Sequence, residues 1–122
     1  MTPSPGTAPP RLPVHRPHDG ELVGRLSAER RDGADVWVAH TLFGVELATF
    51  GGREEAAGFL HARGLAVLAE RWWWTSPEEG RVPVTLVEAR PDAVTFRLEL
   101  DPASPLRTVS GAALASLSRT PD

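Results

Sequence analysis

Residues 35–57 read DVWVAHTLFGVELATFGGREEAA, and the change of period inside this stretch decides the fold class. Val36, Val38 and His40 fall on one face of a strand, and Trp37, Ala39 and Thr41 on the other. Phe43-Gly44 marks a turn, after which Val45, Leu47 and Thr49 alternate with Glu46, Ala48 and Phe50. Gly51-Gly52 then ends the alternation. From Arg53 the spacing is helical: Ala56, Phe59, Leu60 and Arg63 share a side, and Glu54 and Glu55 occupy the first turn, where carboxylates favour the positive end of the helix dipole. Gly64 followed by Leu65 is a helix stop. Two strands followed by a helix predict an antiparallel α+β arrangement.

The pattern extends in both directions. Upstream, Leu22, Val23 and Leu26 predict a strand over about 21–29, joined to the next by the tight turn Arg31-Asp32-Gly33-Ala34. Downstream, residues 65–71 fit helix and strand equally, with strand character from about 70, where aromatic residues accumulate. Val82, Val84, Leu86 and Glu88 alternate, with Pro83 suggesting an edge or a bulge, and Val94, Phe96, Leu98 and Leu100 alternate most clearly. Ser110 is positioned to cap a short C-terminal helix through Ser118. The expected fold is therefore α+β: an antiparallel sheet of five or six strands in βββα-βββ order, with one main helix on one face. Both halves run strand, strand, strand, helix, so a pseudo-twofold arrangement is one reading of the order.

Residues 1–17 hold six of the twelve prolines and few bulky apolar side chains. Such a segment buries too little to offset the entropy of ordering, which predicts a disordered tail over 1–18 and a single domain over 19–122. Pro10-Arg11-Leu12-Pro13 fits a PxxP ligand pattern within that tail, although a plain linker is the simpler reading.

The 122 residues contain no Lys, Ile, Asn, Gln, Tyr or Cys, and all 13 basic residues are Arg. Joint loss of amino acids with A/T-rich codons points to a GC-rich bacterial genome, so each Arg need not have been selected over Lys. Without Cys there is no disulfide, thiolate nucleophile or Cys-based zinc site. No apolar run approaches the roughly 20 residues of a membrane span, and no basic start precedes an apolar block, which predicts a cytoplasmic protein. Residues 1–18 carry +2 and residues 19–122 carry −5. An acidic folded part is a poor partner for a phosphate backbone.

Trp72, Trp73 and Trp74 are consecutive. A strand sends the middle indole to the face opposite its neighbours, and a helix spreads the three over more than half its circumference. One ring must therefore lie off the main core face, to be covered by a second layer, a tail or a partner. With Arg71 beside them adding cation–π contact, Arg71, Trp72, Trp73 and Trp74 form the candidate partner-binding surface. A double-sided core is the plainer alternative.

His40 on its strand and His61 on the helix are candidate ligand-binding groups if helix and strand bring them together, but two imidazoles without a fixed carboxylate make an incomplete metal set. His15, His18 and Asp19 are closely spaced but sit in the proline-rich segment. The pairs Glu54/Glu55 and Glu78/Glu79 suit a helix start and a turn, and neither is flanked by the apolar surroundings that raise a carboxyl pKa. Ser110-Gly111 lacks the preceding glycine of a nucleophile elbow, and Gly51-Gly52-Arg53 lacks phosphate-loop spacing. No catalytic residue, metal or cofactor is predicted.

Val36-Trp37-Val38, Leu47-Ala48-Thr49-Phe50 and Arg53-Glu54-Glu55-Ala56-Ala57 together resemble the three-strand-plus-helix DNA-binding modules of the AP2 and integrase arm-binding type, over about a third of the chain. The resemblance implies DNA reading by Arg and Trp on the strands. Asp35 to Phe50 contain no Arg, so the arginines that would do this are missing, and the family is not assigned. The expected function is a small non-enzymatic protein-interaction or regulatory module that binds a protein partner or its own copy. The alternatives are stacking of single-stranded nucleic acid and a small-ligand cavity between helix and sheet.

Overall fold

A computed structural model describes residues 10–119 as two antiparallel sheets with one principal helix. Four strands form the first sheet in sequence order: β1 (Leu12–His15), β2 (Leu22–Arg31), β3 (Ala34–His40) and β4 (Glu46–Phe50). Helix α1 (Arg53–Arg63) follows, and a 3-10 turn over Ala66–Ala69 leads into the second sheet. That sheet contains β5 (Trp72–Ser76), β6 (Gly80–Ala89), β7 (Ala93–Leu98) and β8 (Arg107–Ser110). A 3-10 turn over Gly111–Ser116 then delivers the short strand β9 (Leu117–Ser118) to the free edge of β5, giving the order β8-β7-β6-β5-β9.

The α+β class and the single main helix match the sequence pattern, and the strands are divided between two sheets. Each half is a four-strand meander followed by a helical segment. The undecided 65–71 stretch resolves into a 3-10 turn and then β5. Ser110 ends a strand, and the turn after it is 3-10 and leads into β9.

The first strand lies inside the segment whose proline content predicts disorder. β1 pairs with β2 in the register Leu12↔Leu26 to Val14↔Gly24, with a bulge before His15↔Leu22. It is an edge strand, where Pro13 is tolerated because one of its sides needs no ladder partner. Arg16, Asp19 and Gly20 then close a turn, with Gly20 N donating to Arg16 O and Arg16 to the Asp19 carboxylate. The PxxP run therefore ends in sheet pairing, while residues 1–9 lie outside the described residues.

Asp32 and Gly33 both take positive φ, 50° and 79°, as a two-residue hairpin requires. α1 packs on one face of the first sheet through Ala56 and Leu60 against Val23, Leu26 and Ala39, with Trp37, Leu47 and Phe50 at the margin. Its C-terminal end sits very close to β2. A Cβ at Gly64 would lie 2.2 Å from Val23 O, so only glycine fits there. In the second sheet Pro83 occupies a central strand, just beyond the β6–β7 ladder that begins at Val84↔Leu98. Its carbonyl still accepts Glu99 N–H at 3.1 Å, so the missing donor costs one bond at the ladder's end. The bulge in β6 falls between Leu86 and Glu88.

The second core contains Trp72, Val84, Val94, Phe96, Leu98 and Leu117, together with Leu42 and Phe43 from the β3–β4 loop. A loop of the first half thus completes the core of the second. Leu65, after the helix, packs against both cores.

Candidate functional site

Strand β5 separates the three indoles as alternation demands. Trp72 and Trp74 pair with Val84 and Val82 and point into the second core, whereas Trp73 pairs with Pro83 and points to the outer face. Trp72 is fully buried; its indole N–H donates to Val67 O at 3.0 Å, and its ring lies 5.5 Å from Phe43. Trp74 is half-buried, 5.1 Å from the Phe96 ring, with the Arg107 guanidinium 5.5 Å from its centroid. Trp73 is half-buried between cross-strand neighbours Pro83 on β6 and Ser118 on β9.

Arg71 lies beside this ring but is committed elsewhere. Its guanidinium meets Glu99 through Nη2–Oε2 at 3.0 Å and Nε–Oε1 at 3.3 Å. The cation–π contacts of the described residues are Arg107 on Trp74 and Arg53 on Trp37. Of the four candidate partner-binding residues, Trp73 and Arg71 are on the outer face, and Trp72 and Trp74 serve the core.

The sequence pattern did not single out the neighbour of this face. Leu100 ends the clearest alternating run, yet it lies past β7 and is 79% exposed. It lines a small groove with Val82, Pro83, Leu98, Glu79 and Asp101. Pro83 is thus both the cross-strand neighbour of Trp73 and a wall of this groove, whose Val82 and Leu98 come from the core-facing side of the sheet. Glu79 and Asp101 also line the groove, and the Arg71–Glu99 pair lies beside Trp73. Leu106, 48% exposed, is in the same β7–β8 connection.

His40 and His61 do not converge. His61 is exposed on α1, while His40 is 3% exposed and alternates away from Ala39, which faces the helix. On that far face Ser27 Oγ lies 3.0 Å from His40 Nε2 and 2.8 Å from Glu29 Oε2. Arg31 bridges Glu29 at 2.8 Å and Glu46 at 2.7 Å. These ion pairs hold both carboxyls below their usual range; Arg31 is the largest influence on each. Ionised Glu29 can only accept, so the Ser27 proton goes to Glu29 and His40 Nε2–H donates to Ser27. That polarity is opposite to the one that activates a serine nucleophile. Burial, followed by the nearby Arg11 charge, pushes the His40 pKa down and favours neutral imidazole.

In the N-terminal set, Asp19 is taken by Arg16 and by Glu21 N–H, with His18 at 3.8 Å. No group of three or more His, Asp or Glu among the described residues gathers into a metal site. No helix among them is long and apolar enough to cross a membrane. Comparison with known protein families, curated protein sequences and solved structures finds no match to this chain.

Proposed function

We propose that this chain is a small non-enzymatic interaction module and that its Trp73–Pro83–Leu100 surface meets a second copy of itself. The observation that carries the reading is Leu100, 79% exposed on an apolar groove that is also lined by Pro83, the cross-strand neighbour of the outward indole. An apolar centre with a charged margin is the anatomy of a protein interface, and Trp is the residue type most enriched among its energetic anchors. Self-association is supported by the margin, which carries both signs: Arg71, paired within the chain to Glu99, and at the groove Asp101 and Glu79, the latter 3.7 Å from Arg107. A twofold axis can place the acids of one copy against the bases of the other.

Solution mass across a concentration series tests this. The wild-type chain is expected to dimerise, and Trp73→Ala and Leu100→Asp are each expected to weaken association about thirtyfold or more. A wild-type chain that stays monomeric throughout the series removes the proposal.

A further inference from the structure

A second feature lies on the opposite side of the second sheet from Trp73. A cavity of about 260 Å³ opens where the β3–β4 loop meets the 111–116 turn. Phe43 and Val45 line it from the first half, Ala112, Leu114 and Ala115 from the second, and Arg11 from just ahead of β1. Arg11 is the charged residue of this wall, and no carboxylate shares the lining.

One backbone contact holds the guanidinium of this exposed side chain. Arg11 Nη1 donates to Gly44 O at 3.2 Å. Gly44 has φ 96°, and a Cβ there would lie 2.6 Å from Nη1, so glycine lets the guanidinium lie directly against the loop. This bond uses one of five N–H donors. Among the described residues Arg11 has no carboxylate partner, and its charge is felt at His40 as a lowered pKa.

The geometry points to this cavity as a binding site for a small apolar monocarboxylate. The apolar walls take a ring or a branched chain, and the carboxylate accepts a forked pair of N–H bonds from Arg11. The size is suitable: a dry cavity of roughly 150 Å³ holds a benzene ring, so 260 Å³ accommodates a ring with a carboxylate arm. The site uses residues from both halves of the chain, and its occupancy does not depend on the Trp73–Pro83–Leu100 surface.

Phenylacetate is a fitting probe, with phenylacetamide as the neutral analogue of the same shape. The full chain, labelled with ¹⁵N, is titrated with each, following the amides of Gly44, Val45, Ala112 and Ala115. Saturable shifts are expected with phenylacetate, with affinity falling about tenfold or more for phenylacetamide and for Arg11→Gln. Ala115→Leu, which fills the cavity at an exposed position and leaves Arg11 intact, is expected to abolish the response. Equal binding of the two probes, an unchanged affinity in Arg11→Gln, or no saturable shift overturns the proposal. Trp73→Ala and Leu100→Asp are expected to bind phenylacetate as the wild type does, so the cavity and the interface fail separately.

Discussion

At Gly64 a missing side chain is what lets the helix reach the sheet. Overpacking of this kind typically costs about 1–3 kcal/mol, so Gly64→Ala is expected to lower the urea midpoint, because its Cβ would meet Val23 O at 2.2 Å. Gly58 provides the contrast: it lies within α1 with open space at its Cβ. There Gly58→Ala is expected to raise stability by about 0.5–1 kcal/mol through helix propensity and unfolded-chain entropy. His40 sets a pH dependence. Its folded pKa is depressed below the ordinary 6.5, so the unfolded chain takes the proton more readily. Stability is full above about that pH and declines as pH falls from 6.5 towards the folded value. Glu29 and Glu46 act lower: their contribution is present above 4.5 and is lost as pH falls through their depressed folded values. Denaturation midpoints measured against pH are expected to show both declines in the wild type, and only the lower one in His40→Gln.

Strand β5 shows how one element divides three identical side chains between different tasks. Trp72 supplies a buried donor to Val67 O, which ties the 66–69 turn to the sheet. Trp72→Phe removes the indole donor from that carbonyl, which keeps Glu70 N–H at 3.2 Å, and leaves a void beside Phe43, a loss of about 1–3 kcal/mol by chemical denaturation. Alternation made this division legible in the sequence: two indoles inward and one outward follow from the period of a strand. The same logic identified β3, β4, α1 and the Asp32-Gly33 hairpin. It missed β1, because proline content speaks to average tendency, while Leu12 to His15 are held by cross-strand pairing with β2. The Ser27–His40 contact was also out of reach, since it joins residues from different strands and depends on register. Arg71 was assigned to an indole by adjacency; its partner Glu99 is 28 positions away and became visible only once β6 and β7 were in place.

Over the whole molecule, the two meanders depend on each other. Leu42 and Phe43 belong by sequence to the first half and by packing to the second, and Leu65 touches both cores. The sequence marked Phe43-Gly44 as a turn, which is correct locally; where the turn docks is a long-range fact that no local period records. Phe43→Ala is expected to cost about 3–5 kcal/mol. Amide exchange should then show protection falling together in both sheets, in one cooperative transition.

This docking also bears on synthesis at the ribosome. When the chain has emerged only as far as α1, Leu42 and Phe43 have no apolar surface to enter, and they stay wetted until Leu117 has left the exit tunnel. The nascent N-terminal half therefore carries an adhesive tip until the second meander has emerged to cover it.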